Sequence, residues 1–190
     1  MLPAVLLSML GVALLAVTVM PVAMGFWGQR EAQQRWQQVL VRPLVEPDGP
    51  SPDLFRPVDG LDFRLTVPRL GYSEVVREGV GLAVLAMGPG RYPETAWPGR
   101  PGDVGVAAHN LYWQPFGDLT RGDEIVLEAR YGLFRYRITG SQVVSARDGW
   151  ILDPAPDRQL TLTTSQPEWA GPFATRRLAI FAQEVPPSTD

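Results

Sequence analysis

Three residues whose side chains could take part in acyl transfer stand at the ends of apolar, strand-like segments. His109 is the only histidine of the 190-residue chain and follows the segment 106–108. Ser165 ends the run 160–165, and Arg177 begins the last apolar segment. A hydroxyl, an imidazole and a guanidinium could act as nucleophile, general base and oxyanion partner. Whether they do so depends on which strand ends the fold brings together.

Each of these residues also has an ordinary structural explanation. A single histidine is often a structural residue with its hydrogen bonds satisfied, and a serine at a strand end is often a turn or capping residue. An arginine near a surface is often only solvated, and Arg176 is an alternative to Arg177 for any functional role. Only the joint spacing of the three residues favours a shared site.

The composition fits one domain with an appendage. A chain of 190 residues that is 45% hydrophobic can bury a core. The formal net charge of −3 and the isoelectric point near 5.2 argue against a nucleic-acid-binding surface. No residue pattern indicates a cofactor or a metal ion. The absence of cysteine fits either an oxidising compartment without disulfides or no need for cysteine.

The N-terminal segment predicts where the protein resides. Residues 2–27 carry no charged side chain, and a helix of that length, at about 1.5 Å per residue, can cross a hydrocarbon core of roughly 30 Å. A cleaved signal peptide is the alternative, but its apolar core would be about 7–15 residues long and preceded by positive charge. We predict a transmembrane anchor at 1–28 that contacts the lipid bilayer through residues 2–27. Trp27 and Trp36 are expected in the headgroup layer.

The rest of the chain is predicted to be a linker and a mainly β domain. Residues 29–60 are expected to form a membrane-proximal polar helix, 29–41, and a semi-extended proline-rich spacer. Alternation of apolar and polar residues then predicts strands at 62–67, 125–129, 134–138, 158–164 and 177–185, a hairpin turn at 131–132 and a short helix at 80–87. Many short strands favour a closed β-barrel with one or two short helices at 61–185, followed by a tail at 186–190.

Four segments, in order along the chain, resemble the motifs of the sortases, bacterial cysteine transpeptidases that sort proteins to the cell surface. They are Val106-Ala107-Ala108-His109-Asn110, 116–125 (FGDLTRGDEI), 161–165 (TLTTS) and 176–182 (RRLAIFA). The family pattern runs G-H, F-x-x-L-x-x-G-D-x-I, T-L-x-T-C, and an arginine opening the last strand. Shorter pieces at 65–71, 78–79, 88–90 and 95–99 also fit. The resemblance covers about residues 61 to 185 and is closest to the class D and class E sortases.

The resemblance implies roles for the three residues. Ser165 stands where a sortase has its nucleophilic cysteine, His109 where the family has the histidine that protonates the leaving amine. Arg177 stands where the family has the arginine that steadies the substrate and the developing oxyanion. Ala108 replaces the glycine that usually precedes the histidine. All three are predicted to converge in one groove walled by the loops around Trp97, Trp113 and Trp169.

The resemblance also implies an orientation. A sortase domain lies outside the cytoplasm behind an anchor whose N-terminus is inside, which predicts a single-pass protein of the bacterial cell membrane. Arg30, Arg35 and Arg42 follow the apolar run, and the positive-inside rule taken alone would keep them cytoplasmic. We follow the family and expect an extracytoplasmic barrel.

The functional prediction depends on the absence of a cysteine thiol at position 165. A thiol can be pushed towards thiolate by nearby positive charge, whereas a hydroxyl is a far weaker acid and needs a positioned base. We therefore predict a non-catalytic interaction or scaffold subunit of a membrane complex, with membrane-protein partners and a sorting-signal-like peptide in the groove. The alternatives are a transpeptidase inactivated by a cysteine-to-serine change and a serine-dependent acyltransferase or hydrolase.

Overall fold

The structure, a computed structural model, describes residues 2–41, 54–167 and 173–186. The helices are α1 (Leu2–Val41), α2 (Leu82–Leu85) and α3 (Asn110–Trp113). The strands are β1 (Leu61–Val67), β2 (Tyr72–Glu78), β3 (Gly90–Arg91), β4 (Gly102–Ala107), β5 (Glu124–Ala129), β6 (Gly132–Ser145), β7 (Arg158–Gln166) and β8 (Arg176–Val185). Short 3-10 helices occur at Pro68–Leu70, Gln114–Asp118 and Gly149–Leu152.

The strands close into a barrel in the order β1-β2-β3-β4-β7-β8-β6-β5, with β5 returning to β1. Neighbouring strands run antiparallel except for the β2–β3 and β4–β7 pairs. The prediction of a mainly β fold built on a closed barrel with few helices is confirmed. Because β4 and β7 run parallel and β8 runs back, the C-terminal ends of β4 and β7 and the beginning of β8 lie at one end of the barrel.

Apolar side chains at alternate strand positions fill the barrel. The fully buried members include Phe63, Leu65, Val104, Val106, Ile125, Leu127, Leu160, Leu162 and Ile180. A second, smaller cluster lies on the outer face of β6 and β8, where Val144 and Ala179 pack against Ile151. This outer cluster holds the segment between β6 and β7 against the barrel wall.

Most predicted strands are confirmed within one or two residues, although β6 is longer than expected, and the short helix at 80–87 is confined to α2. The two-residue turn Arg130–Tyr131 connects β5 to β6. Strand β2 was not predicted, because it lacks the alternation of one buried face. Val75 and Val76 are both fully buried although they point to opposite faces. One of those faces is covered by α1.

Helix α1 runs without interruption past residue 28, where the sequence analysis placed the end of the anchor. The helix predicted at 29–41 is confirmed, but it is not a free polar connector. Ala32, Trp36 and Val39 are buried in the core cluster. The expectation that Trp36 lies in the headgroup layer is wrong, since the side chain is fully buried and its Nε1 donates to Glu128 Oε2 at 3.3 Å.

Among the helices of the described residues, none satisfies both the length and the hydropathy required to cross a bilayer. Met1 and the side chains of residues 2–8, 10, 12–14, 16–18 and 21, which belong to the predicted anchor, lie outside the described part of the chain. So do residues 42–53 of the predicted spacer and residues 187–190 of the predicted tail. The described end of the spacer approaches β1 through a bridge between Val58 and Leu61.

Candidate functional site

The end of β4 lies directly beside the end of β7. Their last parallel pair is Ala107 with Thr163. One residue further, the Ala108 N–H donates to the Thr163 carbonyl at 3.2 Å. The Thr164 hydroxyl donates to the Ala108 carbonyl at 3.0 Å. These two bonds tie the backbone preceding His109 to the strand that carries Ser165.

Ser165 and Arg177 are direct partners across the antiparallel β7–β8 pair. Residues directly opposite in such a pair point to the same face, with Cβ atoms about 4.5–5.5 Å apart. Arg176 instead pairs with Gln166, one position along, and therefore points to the other face. Of the two arginines, the register places Arg177 beside Ser165.

Ser165 and Arg177 belong to the outer face of the barrel wall. Leu162 is buried in the core, so alternation along β7 puts Ser165 outside. Two strand spacings of about 4.8 Å separate β4 from β8, which places the backbones of His109, Ser165 and Arg177 within roughly 10 Å of one another. All three side chains are partly buried. This arrangement is consistent with the predicted convergence, while the catalytic roles stay a prediction.

Buried polar side chains continue along the same outer face of β7 below Ser165. Thr163 shares a hydrogen bond of 3.0 Å with the Tyr92 hydroxyl. Two residues further down, the Thr161 hydroxyl donates to Asp103 Oδ1 at 3.0 Å. Burial raises the pKa of Asp103 to about 6, against the opposing effect of that hydrogen bond. The face next to the predicted site is thus polar and closely packed rather than open to solvent.

The loop that supplies Tyr92 is held by a buried arginine. The Arg91 guanidinium donates to Asp62 Oδ2 at 2.7 Å and lies 4.4 Å above the centre of the Trp97 ring. It also donates to three backbone carbonyls, those of Tyr92, Pro93 and Thr95, at 3.0–3.2 Å. Burial raises the pKa of Asp62 to about 6, although the charge of Arg91 opposes the shift. This pair is not predictable from the sequence, since no local pattern joins residues so far apart in the chain.

The segment after His109 is also fixed by buried polar contacts. Trp113 Nε1 donates to the Tyr72 hydroxyl at 2.8 Å, and that hydroxyl donates to Glu74 Oε2 at 2.8 Å. Burial raises the pKa of Glu74, while the bond from Tyr72 opposes the rise. The Trp113 ring stacks on Phe116 at 4.4 Å. These contacts secure α3 against β2.

The predicted aromatic walls of the groove are largely wrong. Trp113 is almost fully buried, because its ring packs in the core and its indole N–H has a buried partner. Trp97 lies beside the start of β4, at the end of that strand away from Ser165, and covers Arg91. Trp169 lies outside the described residues. Within the described part of the chain, no group of His, Cys, Asp and Glu side chains forms a metal site.

Comparison with known proteins matches this fold and this order of motifs. A family model described as "Sortase domain" matches residues 65–185. Sortase D of Bacillus subtilis (strain 168) is 27% identical over 123 residues, which cover 64% of this chain and 62% of that protein. The chain thus spans less than two thirds of the length of this curated relative.

Solved structures show the same similarity. Sortase E from Streptomyces avermitilis is 32% identical with a TM-score of 0.59 and aligns over 68% of this chain and 91% of that one. Sortase E1 from Streptomyces coelicolor, with a tripeptide in its active site, is 26% identical over 66% and 88% of the two chains, with a TM-score of 0.59. A Clostridium perfringens sortase D5 transpeptidase has a TM-score of 0.64 over 86% and 99% of the two chains, but at 20% identity it supports the fold alone.

Proposed function

This chain belongs to the sortase family, and we propose that it binds sorting-signal-like peptides without forming an acyl-enzyme. In this proposal it acts as a non-catalytic interaction or scaffold subunit at the outer side of the bacterial cell membrane. His109, Ser165 and Arg177 form the binding site. A peptide or a segment of a membrane-protein partner is the occupant.

The observation that carries the proposal is the identity of the residue that pairs with Arg177 on β7. That residue is Ser165, and the chain contains no cysteine. A thiol has an unperturbed pKa near 8.5, which a neighbouring cation can lower into the physiological range. A serine hydroxyl is a far weaker acid, and Arg177 alone cannot ionise it. Serine instead needs a neutral base within hydrogen-bond reach, itself oriented by a third group.

The residues around Ser165 support binding as the function of the predicted site. Arg177 still lies beside residue 165, and the polar face below it is held by Tyr92 and Asp103. A guanidinium is well suited to hold a backbone carbonyl or a carboxylate. The tripeptide in the active site of the Streptomyces coelicolor sortase E1 gives the chemical class of the proposed ligand.

A serine-dependent acyltransferase or hydrolase is the second candidate. It is favoured by the two hydrogen bonds that hold the backbone before His109 beside β7, the strand that carries Ser165. A weakly active transpeptidase with serine in place of cysteine would use the same geometry. The serine enzyme and the transpeptidase both differ from the first candidate because each forms a covalent intermediate, an ester on the Ser165 oxygen.

We propose further that α1 anchors the protein in the membrane. Residues 2–27 are free of charged side chains. Large apolar side chains that project into solvent from this half of the helix include Met9, Leu15, Val19, Met20, Phe26 and Trp27. Lipid would cover them. Fractionation with protease treatment of spheroplasts tests the location: a shortened soluble chain would remove the anchor, and full protection of the barrel would place it in the cytoplasm.

Peptide binding tests the function directly. His109 is the only imidazole, so its NMR signal in the full chain reports binding of a threonine-containing sorting peptide. We expect saturable shifts and an uncleaved peptide. Arg177→Ala should weaken binding at least roughly tenfold, as removing a charged hydrogen-bonding group does. Arg176→Ala, on the other face, is the matched control and should bind like the wild type.

The outcomes separate the candidates. Absence of binding by both the wild type and the Arg176→Ala variant would refute the peptide-binding proposal. Peptide cleavage together with a mass increase on Ser165 would establish the serine enzyme instead.

A further inference from the structure

The wall of the barrel has a gap where β2 meets β3. Strand β3 has only two residues and pairs with Arg77 and Glu78 of β2. Backbone groups at alternate residues of a strand face the same edge, so Ser73, Val75 and Arg77 share this edge of β2. Strand β3 thus leaves the backbone groups of Ser73 and Val75 to another partner, which is α1.

Two glutamines of α1 take the place of the missing strand. Gln29 accepts a bond from the Val75 N–H at 3.0 Å and donates to the Val75 carbonyl at 3.1 Å. Gln33, one helical turn later, donates to the Ser73 carbonyl at 3.3 Å. Gln29 is buried, and its amide also reaches the Met87 carbonyl at 3.2 Å. These side chains satisfy backbone groups that would otherwise form an open sheet edge.

At two positions where α1 approaches the barrel, a side chain would force its neighbour to shift. A methyl group at Gly28 would lie 2.8 Å from the Cβ of Met87. A methyl group at Gly25 would overlap the hydroxyl of Tyr112. In addition, the Arg77 guanidinium donates to the Gly28 carbonyl at 2.7 Å. The segment Gly25–Val39 is therefore part of the barrel wall rather than a tether.

This contact reaches the predicted site through Tyr112. Its hydroxyl lies against Gly25 of α1 and donates to the Ala86 carbonyl at 2.9 Å. Its backbone N–H donates to the carbonyl of His109 at 2.9 Å. One residue thus connects α1 and the end of α2 to the turn that begins at His109.

We propose that Tyr112 is a positioning residue for His109, and that the packing of α1 against the barrel sets the conformation of the His109 turn. The inference rests on His109 belonging to the proposed site. A mechanical force or a binding partner that displaces α1 from the edge of β2 would remove the contact between Gly25 and Tyr112. The turn that begins at His109 would then become more mobile. The helix that we propose to be the membrane anchor would then also control the site.

The experiment uses the full chain in nanodiscs and two readouts that need no peptide. The first is hydrogen exchange at the Tyr112 amide, which is bonded to His109. The second is the NMR signal of the His109 imidazole at constant pH. Gly25→Leu introduces a side chain into the contact with Tyr112. Gly11→Leu is the matched control, since a Cβ built at Gly11 meets nothing within 4 Å.

We expect Gly25→Leu to speed exchange at the Tyr112 amide roughly tenfold or more, which is the usual size of an overpacking effect. It should also shift the NMR signal of the His109 imidazole, whereas Gly11→Leu changes neither. Tyr112→Phe keeps the ring and removes the bond to Ala86, so a several-fold increase in exchange is expected even if Gly25→Leu fails to fold.

Faster exchange along α1 in Gly25→Leu, with an unchanged Tyr112 amide and an unchanged His109 NMR signal, would overturn the proposal. Unchanged readouts in Tyr112→Phe would do the same. Failure of the wild-type chain to bind the peptide would refute the proposed function. The Tyr112 exchange and the His109 NMR signal would still test the positioning role of Tyr112.

Discussion

Arg91→Met tests whether the buried pair with Asp62 holds the loop that carries Tyr92 against β7. The exposed fractions of the Arg91 and Asp62 side chains are 2% and 0%. Methionine preserves much of the length and the packing against Trp97, but it removes every hydrogen bond of the guanidinium. The carboxylate of Asp62 and three loop carbonyls lose their donor together.

The loss in the free energy of unfolding follows from the burial of this pair. Removing one partner of a buried ion pair costs roughly 3–5 kcal/mol, because the remaining charge stays buried. Burial has already raised the pKa of Asp62 to about 6. Without Arg91 the pKa rises further, and protonation limits the loss. We therefore expect about 3 kcal/mol near pH 7 and less at pH 5, out of the roughly 5–15 kcal/mol typical of a domain.

Urea unfolding of the full chain in mild detergent, with tryptophan fluorescence as the signal, measures the change. The control is Glu124→Ala, which breaks the Arg135–Glu124 pair. That pair has an N–O distance of 2.6 Å, but its side chains are 58% and 38% exposed. Exposed pairs contribute about 0–1 kcal/mol. Equal effects of the two variants, or a loss below about 1 kcal/mol for Arg91→Met, would refute the reasoning from burial.

Two further variants test other buried polar groups. Asp103→Asn should stabilise the protein at pH 7.5, because burial raises the Asp103 pKa from 3.8 to about 6. The folded state then binds the proton more tightly, so stability falls as pH rises through that range. This difference in the Asp103 pKa between the folded and unfolded states corresponds to a gain in stability of roughly 3 kcal/mol at most. The gain should vanish at pH 4. A gain of equal size at pH 4 and pH 7.5 in thermal unfolding would contradict this prediction. Tyr72→Phe should cost about 1–3 kcal/mol in urea unfolding, since Trp113 Nε1 and Glu74 lose their shared hydroxyl; a cost below about 0.5 kcal/mol would show that water replaces it.

The strands that alternate strictly were predictable from sequence. In β5, Ile125, Leu127 and Ala129 are buried while the residues between them are only partly buried, which is the period that the pattern predicted. Strand β2 was not predictable in this way, because α1 covers its second face and buries Val75 as well as Val76. The period of a strand reflects what packs on both of its faces, and the second partner here is distant in the chain.

The relative positions of the predicted site residues were predictable to a similar extent. Motif spacing indicated Ser165 and Arg177, but the choice between Arg176 and Arg177 depends on the β7–β8 register, which no single strand encodes. Gln29 and Gln33 gave the helix a polar appearance, although both amides bond to β2. Trp36 and Trp113 were expected at a membrane surface and in a groove, and both are buried. Aromatic residues with one polar atom fit either place, and only a buried hydrogen-bond partner distinguishes them.

The central claim is that the site of a sortase is assembled here without a nucleophile, and restoring a thiol tests it most directly. The full-length Ser165→Cys variant is incubated with a threonine-containing sorting peptide, and its intact mass is compared with that of the wild type. Ser165→Cys combined with Arg177→Ala is the control for the site, and Ser165→Cys combined with Arg176→Ala is its matched partner. We predict an acyl adduct on Ser165→Cys and on the Arg176→Ala combination, with little on the Arg177→Ala combination and none on the wild type. An adduct on the wild-type serine, or no adduct on any thiol variant that binds the peptide, would contradict the account.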